Sequence, residues 1–232
     1  GHWADTPVLL ITGASSGIGA ETARMAIARG RRVALAARST DKLAALVEEF
    51  GGPDHAVAIT TDVTDFASVE AAVGAAKDHF GRLDAVYANA GFGAERSFLG
   101  DDVDHWREMV LTNVLGAAFT IRAALPTLYE TDGVGHLLLT GSVAGRVNLP
   151  GSLYSVTKWA VHAMGESLRQ EVDGKVRVTT IAPGKVDTPF FDNPVTDALQ
   201  PEDIARAVLY ALDQPAHVDV NEILLRPTKQ PN

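Results

Sequence analysis

Val8-Leu9-Leu10-Ile11-Thr12-Gly13-Ala14-Ser15-Ser16-Gly17-Ile18-Gly19-Ala20-Glu21-Thr22-Ala23 is the stretch whose reading decides the fold. An apolar run with no polar interruption suits a strand that is covered on both faces, as in a parallel sheet. It ends in a glycine-rich turn and passes directly into helical spacing. Such a turn brings backbone N–H groups and a helix N-terminus up to a pyrophosphate. Gly13 permits the tight turn, Gly17 lets the backbone approach a ligand, and Gly19 allows close helix–strand packing. Ser15, Ser16 and Ile18 complete the loop. The spacing is G-x3-G-x-G rather than the commoner G-x-G-x-x-G. It is not a phosphate loop of the Gly-Lys-Ser/Thr kind, because no such triplet follows.

Outward from this turn the alternation continues. Further apolar runs lie at 33–37, 56–61, 85–89, 136–140, 176–182 and 222–226, with helical patterns at 17–29, 41–50, 66–80, 103–130, 153–172 and 202–212. Ser39-Thr40 and Asp65 offer helix N-caps, while Gly30, Gly51-Gly52 and Gly81 supply stops. Strands alternating strictly with helices predict an α/β fold. The expectation is a single doubly wound Rossmann domain over 1–232, with a seven-stranded parallel sheet flanked by helices on both faces. Residues 1–5 read as a tag remnant or a flexible N-terminus.

Composition sets the outer bounds. Of 232 residues, 46% are hydrophobic and 21% charged, which is ordinary for a globular core. The net charge of −9 argues against nucleic acid as a partner, since phosphate binding needs a basic footprint. There is no cysteine, so disulfide and thiolate chemistry are excluded. The seven histidines are scattered without metal-ligand spacing, and no metal site is expected. No apolar run reaches membrane-spanning length and no basic-then-apolar leader opens the chain, so a cytoplasmic protein without membrane contact is expected.

Further on, Tyr154-Ser155-Val156-Thr157-Lys158 places a phenol and an ammonium on one helix face. A nearby positive charge favours phenolate and is expected to pull the Tyr154 pKa down towards the operating pH of an acid–base catalyst. Together these motifs resemble the short-chain dehydrogenase/reductase family from about Val8 to the C-terminus. The family's glycine motif matches Thr12 to Gly19, and its Asn-Ala-Gly motif matches Asn89-Ala90-Gly91. Its helix-borne Asn matches Asn113, its Ser matches Ser142, its Tyr and Lys match Tyr154 and Lys158, and its Pro-Gly matches Pro183-Gly184. Ser142 stands at the short end of the family's spacing from Tyr154, and the segment 188–201, a longer lid in relatives, is short.

The resemblance implies a nicotinamide oxidoreductase. Tyr154 would protonate a carbonyl oxygen, Lys158 would hold the ribose hydroxyls, Ser142 would bind the substrate oxygen, and Asn113 would link Lys158 to solvent through water. At the end of the second strand stands Ala37 where an acidic residue would bond a ribose 2′-hydroxyl, followed by Arg38 and Ser39. A guanidinium forks onto phosphate, so NADP(H) is expected over NAD(H). Asp62 and Val63 resemble the family's adenine contacts, and Val186 and Thr188 its carboxamide contacts. Val143, Leu149 and Phe190 are expected to line an open pocket for a small carbonyl or alcohol, chiefly apolar or aromatic ketones. The alternatives are a 3-oxoacyl-thioester reductase, which would need a basic docking run that is absent here, or a dinucleotide-sensing binding protein without turnover. The stretches 103–130 and 153–172 carry more apolar residues than one packing stripe requires, and the resemblance implies that these helices pair between copies, so a homo-oligomer, a tetramer or a dimer, is expected.

Overall fold

The computed structural model describes residues 5–187 and 196–232. Strands β1 (Val8–Thr12), β2 (Arg32–Ala37), β3 (Ala56–Thr60), β4 (Ala85–Ala88), β5 (Gly135–Thr140), β6 (Val176–Pro183) and β7 (Glu222–Leu225) make one sheet. Its order is β3-β2-β1-β4-β5-β6-β7, with every pair parallel. The chain steps outward from β1 to β3, then returns to lay β4 on the other side of β1. Open sheets of this kind bind ligands in the crevice at that reversal, beyond the carboxyl ends of the strands.

Helices α1 (Gly17–Ala28), α2 (Thr40–Glu49), α3 (Phe66–Phe80), α4 (Val103–Val110), α5 (Gly116–Glu130), α6 (Leu153–Val172) and α7 (Pro201–Leu212) cover the two faces. On β1, Leu9 and Ile11 join a core with Ala23 and Ala26 of α1 and Ile204 and Val208 of α7. Val8 and Leu10 point into the opposite core with Ala76 of α3, Ile121 of α5 and Val161 of α6. Both faces of the strand are therefore dry, which is why its sequence is continuously apolar instead of alternating. The Asp65 side chain accepts the Ala67 N–H to open α3, and left-handed Gly81 closes it.

Element bounds fall within a residue of the sequence expectation with one exception. The pattern over 103–130 is a single helical path, but a π-helical turn, Leu111–Leu115, separates α4 from α5. Buried Asn113 lies in that turn. Periodicity does not reveal it, because 109–119 is apolar at most positions and so fixes no single phase.

The path Val103–Glu130 also qualifies the reading of membrane segments. Its most apolar 18-residue window has a mean hydropathy of 1.4, within the range of a membrane span. Here Met109, Ile121, Ala124 and Leu128 pack into the core, while Val103, Val110 and Leu115 are exposed. On neighbouring α6, Val156 and Trp159 are exposed as well.

Candidate active site

The glycine loop sits where strand, loop and helix approach too closely for side chains. Gly13 is left-handed (φ 61°), and a Cβ on it would lie 2.9 Å from Ala90 Cα. A Cβ on Gly19 would fall 2.2 Å from the Gly13 carbonyl oxygen. The Thr12 hydroxyl accepts the backbone N–H of Asn89 (3.0 Å) and of Ala90 (3.2 Å), and the Asn89 amide donates to the Gly13 carbonyl (3.3 Å). Asn89 and Ala90 thus brace the loop from behind. Ser16, at the N-cap of α1, makes no side-chain bond to the helix, so the first-turn N–H groups are not spent on a side-chain cap. An uncapped helix N-terminus behind a bare glycine cradle fits a pyrophosphate.

The same bracing reaches the second half of the sheet. Thr140 Oγ1 lies 2.9 Å from Asn89 Oδ1 and 2.6 Å from the buried Tyr87 hydroxyl. Its carbonyl accepts a hydrogen bond from Lys158 Nζ at 2.9 Å. Lys158 is buried, and this is its one hydrogen bond among the described residues, which leaves two ammonium hydrogens for a ligand. Burial pushes its pKa down to about 8.

Tyr154 stands one turn before Lys158 at the start of α6, which Ser152 caps by accepting the Ser155 N–H at 3.0 Å. The expected lowering of the phenol pKa is corrected by the structure. Burial raises it, opposed in part by a hydrogen bond with Ser142. Lys158 Nζ lies over the ring, 5.7 Å from its centroid. The burial that makes the ammonium costly also penalises phenolate, and desolvation outweighs the neighbouring charge. Tyr154 is consequently protonated at neutral pH, as a proton donor must be.

Ser142, between β5 and a short 3-10 turn (Val143–Gly145), accepts the Ala144 N–H at 3.0 Å. Its hydroxyl also lies 3.5 Å from the Pro183 carbonyl. Asn113 accepts the Phe92 N–H (3.0 Å) and donates to the Phe92 carbonyl (2.9 Å) and to Thr157 Oγ1 (3.1 Å). The Thr157 hydroxyl donates to the Tyr154 carbonyl (2.7 Å). Asn113 therefore ties the Phe92 loop to α6 and makes no direct bond to Lys158.

A cleft of about 810 Å³ joins these parts, lined by Gly13, Ser15, Ser16, Gly17 and Ile18, by Asn89, Ala90 and Gly91, and by Ser142, Tyr154 and Lys158. Pro183, Gly184, Val186, Val143 and Leu149 complete the walls foreseen from sequence. Arg38, Ser39, Asp62 and Val63 stand outside this lining, beyond the ends of β2 and β3. Arg38 is exposed and close enough to Asp62 to lower its pKa, behind the larger effect of the Thr64 side-chain and backbone hydrogen bonds. One Asp62 oxygen is taken by Thr64 N and Oγ1, at 3.0 and 2.7 Å. Val63 packs where a Cβ on Gly116 would lie 2.9 Å from its Cγ2. Thr188 and Phe190 lie outside the described residues.

Among the cleft residues that sequence reasoning missed are Arg96, Ser152, Lys185 and Gln230. The Gln230 amide oxygen accepts the Lys185 N–H at 2.8 Å, filling the space that a Cβ on Gly184 would need. Arg96 comes from the loop after β4, seated on Gly151 just ahead of α6; its guanidinium has no partner among the described residues. No local motif marks either residue, because each reaches the cleft from a segment remote in sequence.

The model of the short chain dehydrogenase family matches residues 7–198. An uncharacterized oxidoreductase of Staphylococcus aureus strain MW2 is 39% identical over 225 residues, which is 95% of this chain and 96% of that one. Among solved structures, an alcohol dehydrogenase of the archaeon Thermococcus sibiricus complexed with 5-hydroxy-NADP is 33% identical, with a TM-score of 0.88 over 98% of this chain and 99% of that one. A serine dehydrogenase in its closed form with NADP+ is 30% identical, with a TM-score of 0.88 and coverage of 97% and 96%. A 3-ketoacyl-(acyl-carrier-protein) reductase of Brucella melitensis complexed with NADH is 26% identical, with a TM-score of 0.87 and coverage of 96% and 98%. With its glycine loop, its Asn-Ala-Gly turn and its Ser, Tyr and Lys around one cleft, this chain belongs to the short-chain dehydrogenase family.

Proposed function

We propose that the protein is an NADP(H)-dependent oxidoreductase acting on a carbonyl or secondary alcohol, with Tyr154 as general acid and base. The observation that carries this reading is the convergence of Ser142, protonated Tyr154 and buried Lys158 on the cleft that the glycine loop closes. The loop backbone and the first turn of α1 would hold the pyrophosphate, Lys158 the nicotinamide ribose, and Arg38 a 2′-phosphate. The bound nicotinamide supplies or accepts the hydride. Ser142 orients the substrate oxygen and steadies the charge that develops on it. Tyr154 gives its proton to that oxygen in reduction and takes one back in oxidation. Because burial raises the Tyr154 pKa, reduction is favoured at neutral pH and oxidation gains as pH rises.

Tyr154→Phe tests the reading. The fold and cofactor binding are expected to survive while turnover falls by about 10²–10⁴, the contribution of a positioned general acid. Turnover within a few-fold of the parent would overturn it.

A second reading concerns the substrate. Unpartnered Arg96 favours one that carries a carboxylate, a hydroxy acid or its oxo counterpart, over the apolar ketones expected from Val143 and Leu149 alone. The similar serine dehydrogenase is named for such a hydroxy acid. Arg96→Ala is expected to raise KM for a 3-hydroxy acid about tenfold or more, the worth of a charge-assisted bond, and to leave KM for its methyl ester unchanged. Equal effects on acid and ester refute it.

A further inference from the structure

We propose that His162 is a positioning residue for Ser142: its Nε2 accepts the Ser142 backbone N–H and so fixes where the Ser142 hydroxyl meets the substrate oxygen. The inference rests on the reading of Ser142 given above. His162 lies on α6 one turn beyond Lys158 and is 3% exposed. Its Nε2 is 3.1 Å from Ser142 N and also 3.1 Å from Ser142 O. The carbonyl already receives the Gly145 N–H at 2.9 Å, whereas the Ser142 N–H has the imidazole as its partner. Nε2 therefore acts as the acceptor, and the ring proton sits on Nδ1.

Two glycines make room for this contact. A Cβ on Gly141 would fall 2.3 Å from Nε2, and one on Gly145 would fall 2.5 Å from Cδ2. Residues on either side of Ser142 are thus bare where the ring lies. Behind the ring, Nδ1 faces Glu222 Oε1 at 3.6 Å, too far for a hydrogen bond but near enough for the carboxylate charge to act. Arg146 grips that carboxylate through Nε (2.9 Å) and Nη2 (2.5 Å).

The charged groups facing the ring are Arg146 from the turn after β5, Lys158 from α6 itself and Glu222 from β7. Burial and the two cations disfavour a protonated ring, while Glu222 and the Ser142 carbonyl, which accepts from a protonated Nε2, favour it; the balance holds it neutral at pH 7. A proton on Nε2 turns the acceptor into a donor, which must release the Ser142 N–H and turn to its carbonyl. Acidification thereby loosens Ser142 while Tyr154 stays protonated.

Two substitutions separate positioning from packing. His162→Leu fills the space without an acceptor, whereas the His162→Gln side chain reaches Ser142 N with an oxygen that does not titrate. Reduction by NADPH is followed between about pH 5 and pH 8, the range in which His changes charge, beside NADPH affinity by fluorescence and Tm. His162→Leu is expected to lose about tenfold or more in kcat with cofactor affinity within about twofold, as for a buried N–H left without its partner. His162→Gln is expected to keep kcat within about threefold at neutral pH and to lose the acid limb of the wild-type profile. A folded His162→Leu with unchanged kcat, or a His162→Gln that retains the wild-type acid limb, overturns the proposal. Should His162→Leu not fold, the His162→Gln profile decides by itself. Ser142→Ala serves as reference: if it turns over normally, the reading of Ser142 falls and this inference with it. If Ser142→Ala is impaired while His162→Leu is not, only the inference falls.

Discussion

Gly19 and Gly74 are both helical glycines, and the same substitution is expected to move them in opposite directions. Gly74 is exposed in the middle of α3, and a Cβ there would meet nothing within 4 Å. Alanine is the better helix former by about 0.8–1.0 kcal/mol. Each kcal/mol shifts Tm by roughly 2–4 °C in a chain of this size, so Gly74→Ala should raise Tm by about that much. Gly19, in the first turn of α1, has Gly13 O at 2.2 Å and Gly13 C and Asn89 Nδ2 both at 2.9 Å from the added carbon. Two of these atoms are backbone, so the neighbours have little means of yielding. Overpacking of this kind costs about 1–3 kcal/mol and sometimes more. Taking the upper end and subtracting the propensity gain leaves a net loss of about 2 kcal/mol, or a Tm lower by roughly 4–8 °C. Because the displaced carbonyl belongs to the glycine loop, NADP(H) affinity should fall in Gly19→Ala and stay constant in Gly74→Ala. Differential scanning fluorimetry and fluorescence titration with NADPH read both quantities. A Gly19→Ala protein that gains stability and binds NADPH normally would refute the close-approach argument.

Arg38→Asp should weaken NADP(H) and spare or improve NAD(H), read as the ratio of kcat/KM for the two cofactors; equal kcat/KM for both in the parent protein would sink the preference itself. Lys158 has a folded pKa of about 8, below the ordinary Lys value of 10.5. Between these values the unfolded chain binds more protons, so its burial penalty is full below pH 8 and fades as pH rises through that window. The stability advantage of Lys158→Met over the parent should accordingly be largest near neutral pH and shrink towards roughly pH 10, and NADPH affinity of the parent should decline above pH 8; flat profiles in both would contradict the assignment. The exposed Val103, Val110, Leu115, Val156 and Trp159 on adjacent helices should be covered by a second copy of the chain. Light scattering is then expected to give a multiple of 24.5 kDa, and a mass near 24.5 kDa at micromolar concentration would remove that expectation.

The sequence by itself determined the sheet and the cradle. The dry run Val8–Thr12, the glycine turn after it and the regular succession of strands and helices are local signals, set by which residues tolerate burial on both faces or a left-handed backbone. Tyr154 and Lys158 were legible together because helical spacing alone puts them on one face. What the tertiary structure decided concerns distance and burial across the sheet. It reversed the expected direction of the Tyr154 pKa, because desolvation depends on everything packed around the phenol and not on its neighbour four residues on. It inserted a π-turn at Asn113 where periodicity read an unbroken helix. It also brought Arg96 into the cleft and His162 onto the Ser142 backbone, contacts between segments that no spacing rule connects. Spacing along the chain fixes which face a side chain occupies; only the packed fold fixes how dry that face is and what stands opposite it.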